Sequence, residues 1–270
     1  MTFSRFFLYN SYLLNNLFMT ETTDGYRPNP EGVKTGKDDE MLEIFLREID
    51  FGNVDLRAKI KEIIGRPESF LGKGGTAQVY DLGDQCIKIM PNRHADKNAR
   101  SYNLGNPVST ECQIQNQLRG VDVDGVYAPR ALSFYEGAKI TAIVMERLDA
   151  ANMQMVINGR ENLPDNFLSY GAIKCVEDIE AVLDSFFDAL QNYVLEMHER
   201  GVVHCDLVPR NIMIDKETGK PRLIDFGRSR KISTGIKSIP ENELKLMEKD
   251  LEDLEKARGA MEKYLKSKLK

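Results

Sequence analysis

The most informative part of the sequence is His204-Cys205-Asp206-Leu207-Val208-Pro209-Arg210-Asn211, with Asp225-Phe226-Gly227 following it. Asp206 lies five residues before Asn211, on a loop predicted between a helix and a strand. This spacing allows the carboxylate to face a substrate hydroxyl while the asparagine turns towards a metal ion. Asp225 ends a short apolar stretch, where its carboxylate can bind Mg²⁺ without being buried unpaired. The two motifs together predict a metal-assisted catalytic site.

Around these motifs, the apolar pattern predicts a mostly helical second half of the chain. Apolar residues recur at helical spacing over 177–199. Short strands are predicted over 211–215 and 221–224. A long helix closes the chain, and Ser238 with Glu241 predicts a capping box at its start.

Upstream of residue 147 the pattern changes to short strands with one helix. Gly83-Asp84 is a hairpin signal between two of the strands. The one predicted helix covers residues 108–119. The predicted strands cover residues 69–72, 77–82, 85–90, 130–135 and 140–146. The first half is therefore predicted to be a small sheet with one helix.

Three features of this half together predict a phosphate-binding region. The stretch Gly72-Lys73-Gly74-Gly75-Thr76-Ala77-Gln78-Val79 places glycines between two strands, where backbone N–H groups can approach phosphate oxygens. Lys88 lies in the middle of an apolar strand and needs a partner, since a buried ammonium alone is costly. Glu111, the only carboxylate between residues 97 and 121, is the candidate partner. This order of glycine loop, strand lysine and helix glutamate is that of a kinase.

Over about residues 66–230 the chain resembles the eukaryotic-type protein kinases. The resemblance lies in the order G-x-G-x-x-A-x-V, I-K, helix glutamate, H-C-D-x-x-x-x-N and D-F-G. It implies an α+β, two-lobed fold with a small antiparallel-sheet N-lobe, one helix in it, and a reduced, mostly helical C-lobe. The predicted segments are a disordered or mis-started lead-in at 1–37, a helical extension at 38–65, the N-lobe at 66–147 and the C-lobe at 148–270.

The resemblance also implies roles for individual residues, with ATP and Mg²⁺ as cofactors. Asn211 and Asp225 would hold Mg²⁺, and His204 would anchor its loop. The implied catalytic residues are Asp206, Lys88, Glu111 and Arg210. The implied nucleotide-binding residues are Leu71, Gly72, Gly74, Gly75, Val79, Cys86, Lys88, Met145, Glu146, Leu148 and Met213. For Val79, Cys86 and Met213, plain core packing is the alternative.

The sequence departs from the kinase pattern in several places. Cys205 replaces the arginine that usually binds a phosphate on the activation segment, so this control is expected to be absent. Val208 replaces the usual lysine, and Arg210 is placed as in tyrosine kinases and could supply the lost charge. Only 43 residues follow Gly227, without an A-P-E motif. This plan resembles Bud32-like and RIO-type atypical kinases and small bacterial effector kinases.

Composition sets the remaining expectations. The formal net charge of −5 does not indicate a nucleic-acid binder. Four isolated cysteines indicate reduced thiols and a cytoplasmic protein, or one delivered into a host cell if it is an effector. No apolar run is long enough for a membrane span, and residues 1–18 are either a weak signal peptide or lie upstream of a start at Met19. The oligomeric state is not indicated.

Three functions fit these observations. The leading hypothesis is an ATP- and Mg²⁺-dependent serine/threonine protein kinase without a normal activation segment, acting on an unidentified protein. The second is a small-molecule phosphotransferase of the aminoglycoside and choline kinase type. The third is a binding module that uses the kinase fold as a scaffold, although the presence of Lys88, Asp206, Asn211 and Asp225 argues against it.

Overall fold

The structure, a computed structural model, covers two compact units. It describes residues 62, 65–73, 77–93, 105–170, 175–234 and 239–269. The first unit runs up to Cys112 and resumes at Ala131–Arg147, and the second contains Gln113–Arg130 and the chain from Leu148 onward. The predictions for 1–37, for nearly all of 38–65, and for Gly74 and Gly75 lie outside the described residues.

The first unit is built on a five-stranded antiparallel sheet in the order β1-β2-β3-β5-β4. Its strands are β1 (Phe70–Lys73), β2 (Gln78–Asp81), β3 (Gln85–Pro91), β4 (Ala131–Glu136) and β5 (Ile140–Glu146). The chain turns from β2 into β3 at Gly83, whose φ of 96° is one that glycine adopts without strain. Ile87 and Ile89 of β3 are buried, as a strand with neighbours on both sides requires.

Helix α1 (Val108–Gln117) packs on this sheet through its first half. Val108 and Cys112 form a cluster with Ala131 of β4 and Ile143 of β5. The helix begins directly after Pro107, whose carbonyl accepts hydrogen bonds from the amides of Thr110 and Glu111. The sheet and its one helix confirm the fold predicted for this half.

The second unit is mostly helical, and two long helices supply much of its core. Its elements are β6 (Ala150–Asn152), α2 (Met153–Ile157), α3 (Val176–Glu199), β7 (Val202–Val203), β8 (Ile212–Asp215), β9 (Pro221–Leu223), β10 (Arg230–Lys231) and α4 (Glu241–Lys268). The small sheets are β6-β8-β9 and β10-β7. The apolar face of α3, from Ile179 to Met197, is fully buried in a cluster that also contains Leu254 and Met261 of α4. The α+β, two-unit fold is therefore confirmed.

Some local predictions were incomplete or wrong. The sequence analysis did not predict β6, α2, β7 or β10, each of which has five residues or fewer. The predicted capping box does not start α4, because Pro240 occupies the N-cap position and makes no side-chain capping bond. A proline disfavours helical geometry in the residue before it, so the helix begins after Pro240.

Candidate active site

In the first unit, Lys88 and Glu111 form a nearly buried ion pair. The Nζ of Lys88 lies 3.0 Å from Oε1 of Glu111, and the two side chains are 12% and 3% exposed. Lys88 is on β3, opposite Val79 of β2 and Ile143 of β5. Glu111 is in the first turn of α1, where the helix dipole favours a negative charge. The strand and the helix therefore bring together the two residues that the sequence analysis paired.

Three other predicted nucleotide-binding residues of this unit lie on its first two strands. Leu71 and Gly72 are on β1 and Val79 is on β2; all three are half-buried. The β1–β2 ladder shifts register between Phe70 and Gly72, which marks a bulge at the start of the glycine stretch.

Cys86 lies two residues before Lys88 on β3, so the two side chains share one face of the strand. Cys86 is 8% exposed, and its thiol lies 3.8 Å from the carbonyl oxygen of Glu146. Burial raises the pKa of Cys86 to about 12, so the group is a neutral thiol. Its predicted place above a nucleotide base stays a prediction.

The segment 145–148, which contains three predicted nucleotide-binding residues, is bonded to the β2–β3 turn of the first unit through Arg147. Arg147 donates from its backbone amide to Asp84 and from its guanidinium to the carbonyl oxygen of Gly83. The division between the two units falls directly after Arg147. Met145 and Glu146 are the last two residues of β5. Leu148 is the first residue of the second unit after this division.

In the second unit, the carboxylate of Asp206, on the loop between β7 and β8, accepts three hydrogen bonds from two side chains. The guanidinium of Arg210 donates to both carboxylate oxygens of Asp206, at 2.9 and 2.8 Å. Nδ2 of Asn211 donates to the Asp206 carboxylate at 3.1 Å and to its backbone carbonyl at 2.8 Å. A 3-10 turn at Pro209–Asn211 brings these residues back towards Asp206. The side chain of Arg210 is 57% exposed, whereas that of Asp206 is 14% exposed.

The loop is held in shape by Asp250 of α4, which the sequence analysis did not identify. Asp250 is completely buried and accepts hydrogen bonds of 2.8 Å from the backbone amides of both His204 and Cys205. Nε2 of His198, on α3, lies 3.1 Å from the same carboxylate. Cys205 has a φ of 63°, a left-handed conformation that is uncommon for a residue with a side chain. The Asp250 carboxylate therefore fixes the backbone directly before Asp206.

A second residue that the sequence analysis missed, Asn152, fixes the other end of the loop. Its Oδ1 accepts hydrogen bonds from the amides of Gln154 and Met155 and caps helix α2. Its Nδ2 donates to the backbone carbonyl of Arg210 at 2.7 Å and lies 3.4 Å from the sulfur of Met213. Met213, a predicted nucleotide-binding residue, is half-buried on β8.

The D-F-G motif is packed directly against the loop. The ring of Phe226, which is fully buried, lies 5.0 Å from that of His204. Nε2 of His204 donates to the carbonyl of Ile224 at 3.1 Å, and the amide of Ile224 donates to the carbonyl of Asn211. Complete burial lowers the pKa of His204, although the nearby Asp250 carboxylate opposes this shift. A neutral, buried imidazole bonded to backbone is an anchor rather than a general base.

Asp225 is exposed and has a φ of 65°. Aspartate adopts this left-handed region more readily than most residues, because its short polar side chain can bond locally. Such a conformation costs about 1–3 kcal/mol and persists where the surroundings determine it, here Ile224 on one side and Phe226 on the other. The strained backbone leaves the Asp225 carboxylate at the surface of the second unit, next to the loop that carries Asn211.

Within each unit the structure thus groups the predicted residues. Lys88 meets Glu111, while Asp206 contacts Arg210 and Asn211. A paired lysine on a five-stranded sheet, together with an aspartate–asparagine loop braced against a D-F-G turn, defines a phosphotransferase of the protein-kinase type.

The chain belongs to the protein kinase family, since the family model described as "Protein kinase domain" matches residues 66–249. It is 26% identical over 204 residues to the probable serine/threonine-protein kinase ndrC of Dictyostelium discoideum, covering 73% of this chain and 13% of that protein. It is 27% identical over 178 residues to the serine/threonine-protein kinase RUNKEL of Arabidopsis thaliana, and the alignment covers 63% of this chain and 11% of that protein.

A bacterial relative gives a similar result. The chain is 24% identical over 194 residues to the probable serine/threonine-protein kinase PknB of Corynebacterium glutamicum, covering 71% of this chain and 27% of the relative. The aligned region therefore spans well under half of each of these three relatives. Among the helices of the described residues, none has an apolar stretch sufficient to span a membrane. The likeness to Bud32-like, RIO-type and effector kinases stays a prediction.

Proposed function

We propose that this chain is an ATP- and Mg²⁺-dependent serine/threonine protein kinase that acts without phosphorylation of the segment after Gly227. The observation that carries the proposal is the bracing of the Asp206 loop. Asp250 holds the backbone before Asp206, and Arg210 and Asn211 hold its carboxylate. A scaffold that only binds has no need for a carboxylate positioned in this way. The names of the relatives support serine or threonine as the acceptor.

We assign to Asp206 the role of binding the substrate hydroxyl group that accepts the phosphate. An ionised carboxylate has about four acceptor positions, and three are used by the bonds from Arg210 and Asn211. The remaining position can accept the hydrogen of a substrate hydroxyl and orient its oxygen for attack. The exposed Arg210 supplies a positive charge beside that oxygen, and could thereby compensate for Val208.

The residues of each unit fit their proposed ligands chemically. Lys88 is kept extended on β3 by Glu111, so its ammonium can bind phosphate oxygens. Nδ2 of Asn211 is engaged with Asp206, which leaves its amide oxygen as a hard ligand, and Asp225 offers a carboxylate; Mg²⁺ prefers both kinds of oxygen. When bound, Mg²⁺ with ATP would neutralise charge on the phosphate oxygens. For the adenine base we propose the backbone groups of Glu146 and Leu148 and the side chains of Val79, Cys86 and Met213.

Independence from activating phosphorylation is supported by Cys205 and by the short segment after the D-F-G motif. Only residues 228–240 separate Gly227 from α4, and they include the two-residue strand β10. The backbone amide of Cys205 donates a hydrogen bond to Asp250, so the loop is braced without a side-chain cation at that position. Burial raises the pKa of the Cys205 thiol to about 11, so this position carries no charge.

The proposal is tested with γ-labelled ATP and Mg²⁺, with and without a cell extract. Asp206→Asn should reduce transfer by about 10²–10⁴-fold and leave nucleotide binding intact, because Asp206 acts on the hydroxyl. Asp225→Ala should abolish Mg²⁺-dependent turnover. Asp188→Asn is the matched control, since Asp188 is an exposed aspartate of α3.

The full proposal is supported if the enzyme labels protein and keeps the same rate when it has been treated with phosphatase before the assay. Label on a small molecule supports the aminoglycoside and choline kinase alternative, and nucleotide binding without turnover supports the scaffold. If Asp206→Asn transfers phosphate as fast as Asp188→Asn, the role given to Asp206 is wrong.

A further inference from the structure

The segment after the D-F-G motif presents an unpaired group of basic side chains. Three of the four residues in 228–231 are basic, in a chain whose net charge is −5. Arg228 and Arg230 are both exposed and flank Ser229, which is completely buried. Neither arginine makes a side-chain hydrogen bond or ion pair with any residue that the structure describes. We refer to Arg228 and Arg230 as the arginine pair.

The backbone that carries the arginine pair is firmly held. The hydroxyl of Ser229 donates to the carbonyl of His204 at 3.3 Å. Arg230 lies opposite Val203 in the β10–β7 ladder, and the amide of Ile232 donates to the carbonyl of Gly201 at 2.8 Å. Gly201 has a φ of 77°, and a Cβ atom there would lie 2.9 Å from the carbonyl oxygen of Ile232. Hydrogen bonds therefore fix the backbone from Ser229 to Ile232, and Arg228 directly precedes this segment in the 3-10 turn Phe226–Arg228.

This strand runs beside the residues that precede Asp206. Arg228 ends the 3-10 turn Phe226–Arg228 and Arg230 begins β10, so the two exposed side chains stand on either side of the buried Ser229 in the chain. Burial raises the pKa of the Cys205 thiol, next to Asp206 in the chain, and the positive charge of Arg230 opposes this shift. Arg210, whose guanidinium is bound to Asp206, is a third exposed arginine of this region. Arg230 thus lies on the strand that pairs with β7, and β7 leads directly into the loop that carries Asp206.

We propose that the arginine pair binds acidic groups of the protein substrate, so that this kinase prefers serine or threonine residues flanked by carboxylates or phosphates. The inference rests on the proposed function, because it concerns the substrate of the same site. Guanidinium groups bind carboxylates and phosphates through two parallel hydrogen bonds, and the unpaired N–H groups of the arginine pair match that chemistry.

A protein partner is favoured over a nucleic acid. Arg228, Arg230 and Lys231 lie within four residues of the chain, and the chain as a whole is acidic. A nucleic-acid surface requires a longer basic stripe to follow many phosphates. Two arginines are enough to bind a few acidic side chains close to the serine or threonine hydroxyl of a protein substrate.

The test compares three serine peptides that differ only in their flanks: glutamates, phosphoserines or glutamines. The wild type should phosphorylate the glutamate and phosphoserine peptides with a KM about tenfold lower than the glutamine peptide, since each exposed ion pair contributes modestly. Arg228→Gln/Arg230→Gln should remove this difference, and added salt should weaken it. Arg119→Gln/Lys263→Gln is the charge-matched control, because both residues are exposed elsewhere in the second unit. Peptide binding measured by fluorescence anisotropy without nucleotide should follow the same order.

Each outcome bears on one proposal. If no peptide or extract protein is labelled, the kinase assignment fails, and loss of acidic-peptide binding in the double variant still supports the arginine pair as a binding site. If the wild type transfers phosphate but treats all three peptides alike, the inference is wrong while the kinase assignment stands. Binding of the phosphoserine peptide alone would identify phosphate as the source of the anion. Equal or tighter binding of a single-stranded oligonucleotide would overturn the assignment to an acidic protein.

Discussion

Replacement of Asp250 by asparagine tests whether α4 holds the catalytic loop. The carboxylate accepts three hydrogen bonds: Oδ1 binds the amide of Cys205, and Oδ2 binds the amide of His204 and the ring of His198. An asparagine has one acceptor oxygen, so its NH₂ group must face at least one of these donors. The variant therefore loses one or two bonds and places donor against donor in a completely buried position.

The expected cost follows from these contacts. A hydrogen bond to a charged acceptor contributes about 1.5–3 kcal/mol, and a buried donor without a partner costs about 1–3 kcal/mol. We expect Asp250→Asn to lower the free energy of unfolding by about 2–4 kcal/mol. Where the protein still folds, its phosphotransfer rate should fall more than its nucleotide affinity, because the loop before Asp206 is loosened.

The measurement is denaturant unfolding followed by far-ultraviolet circular dichroism, since the chain has no tryptophan. Glu252→Gln, an exposed acidic residue of the same helix, is the control and should change stability by less than about 0.5 kcal/mol. Amide hydrogen exchange at His204 and Cys205 should accelerate in Asp250→Asn only. If the two variants are equally stable and equally protected, Asp250 does not brace the loop.

Two further predictions concern the Lys88–Glu111 ion pair and the buried imidazole of His204. Lys88→Ala and Glu111→Ala should each lower kcat/KM by at least about tenfold, and the double variant should lose little more, because the pair acts as a unit. Additive losses in the double variant would contradict this prediction. The exposed ion pair Lys245–Glu241 is the control. Burial lowers the pKa of His204 below its unfolded value of about 6.5, so the unfolded state binds more protons and stability should fall as the pH drops below about 6.5. His204→Phe should flatten this part of the unfolding profile, and profiles that stay parallel would refute the argument.

Much of the fold was predictable because long elements carry strong periodic signals. Helix α3 was predicted to within one residue at its start, since its apolar face repeats over many turns. Strands β3 and β5 were also placed closely. By contrast, β7 and β10 have two residues each, which is too short for any period to be read. Their pairing depends on the turn at Gly201 and on contacts distant in sequence.

The site was predictable where a local motif defines it and was missed where tertiary structure does. Lys88 was found because a charge inside an apolar strand demands a partner, and Glu111 because its helix offered no other carboxylate. Asp250 carried a comparable signal that was overlooked, since it lies at helical spacing between the apolar Met247 and Leu254. An acidic residue within an apolar stripe indicates a buried acceptor, but its donors cannot be named from sequence.

The bond between α4 and the catalytic loop has a consequence for biosynthesis. His204 and Asp250 are 46 residues apart in the chain, so the loop cannot take its active shape while α4 is still inside the ribosome. The buried face of α4 continues to Leu265. The Asp250 carboxylate, which accepts the hydrogen bonds from the loop, is therefore held in place only when nearly the whole of α4 has packed against the second unit. Closing such a distant contact is slow compared with forming a local turn. Newly made chains should thus pass through a stage in which the first unit is complete while the loop that carries Asp206 is not yet fixed.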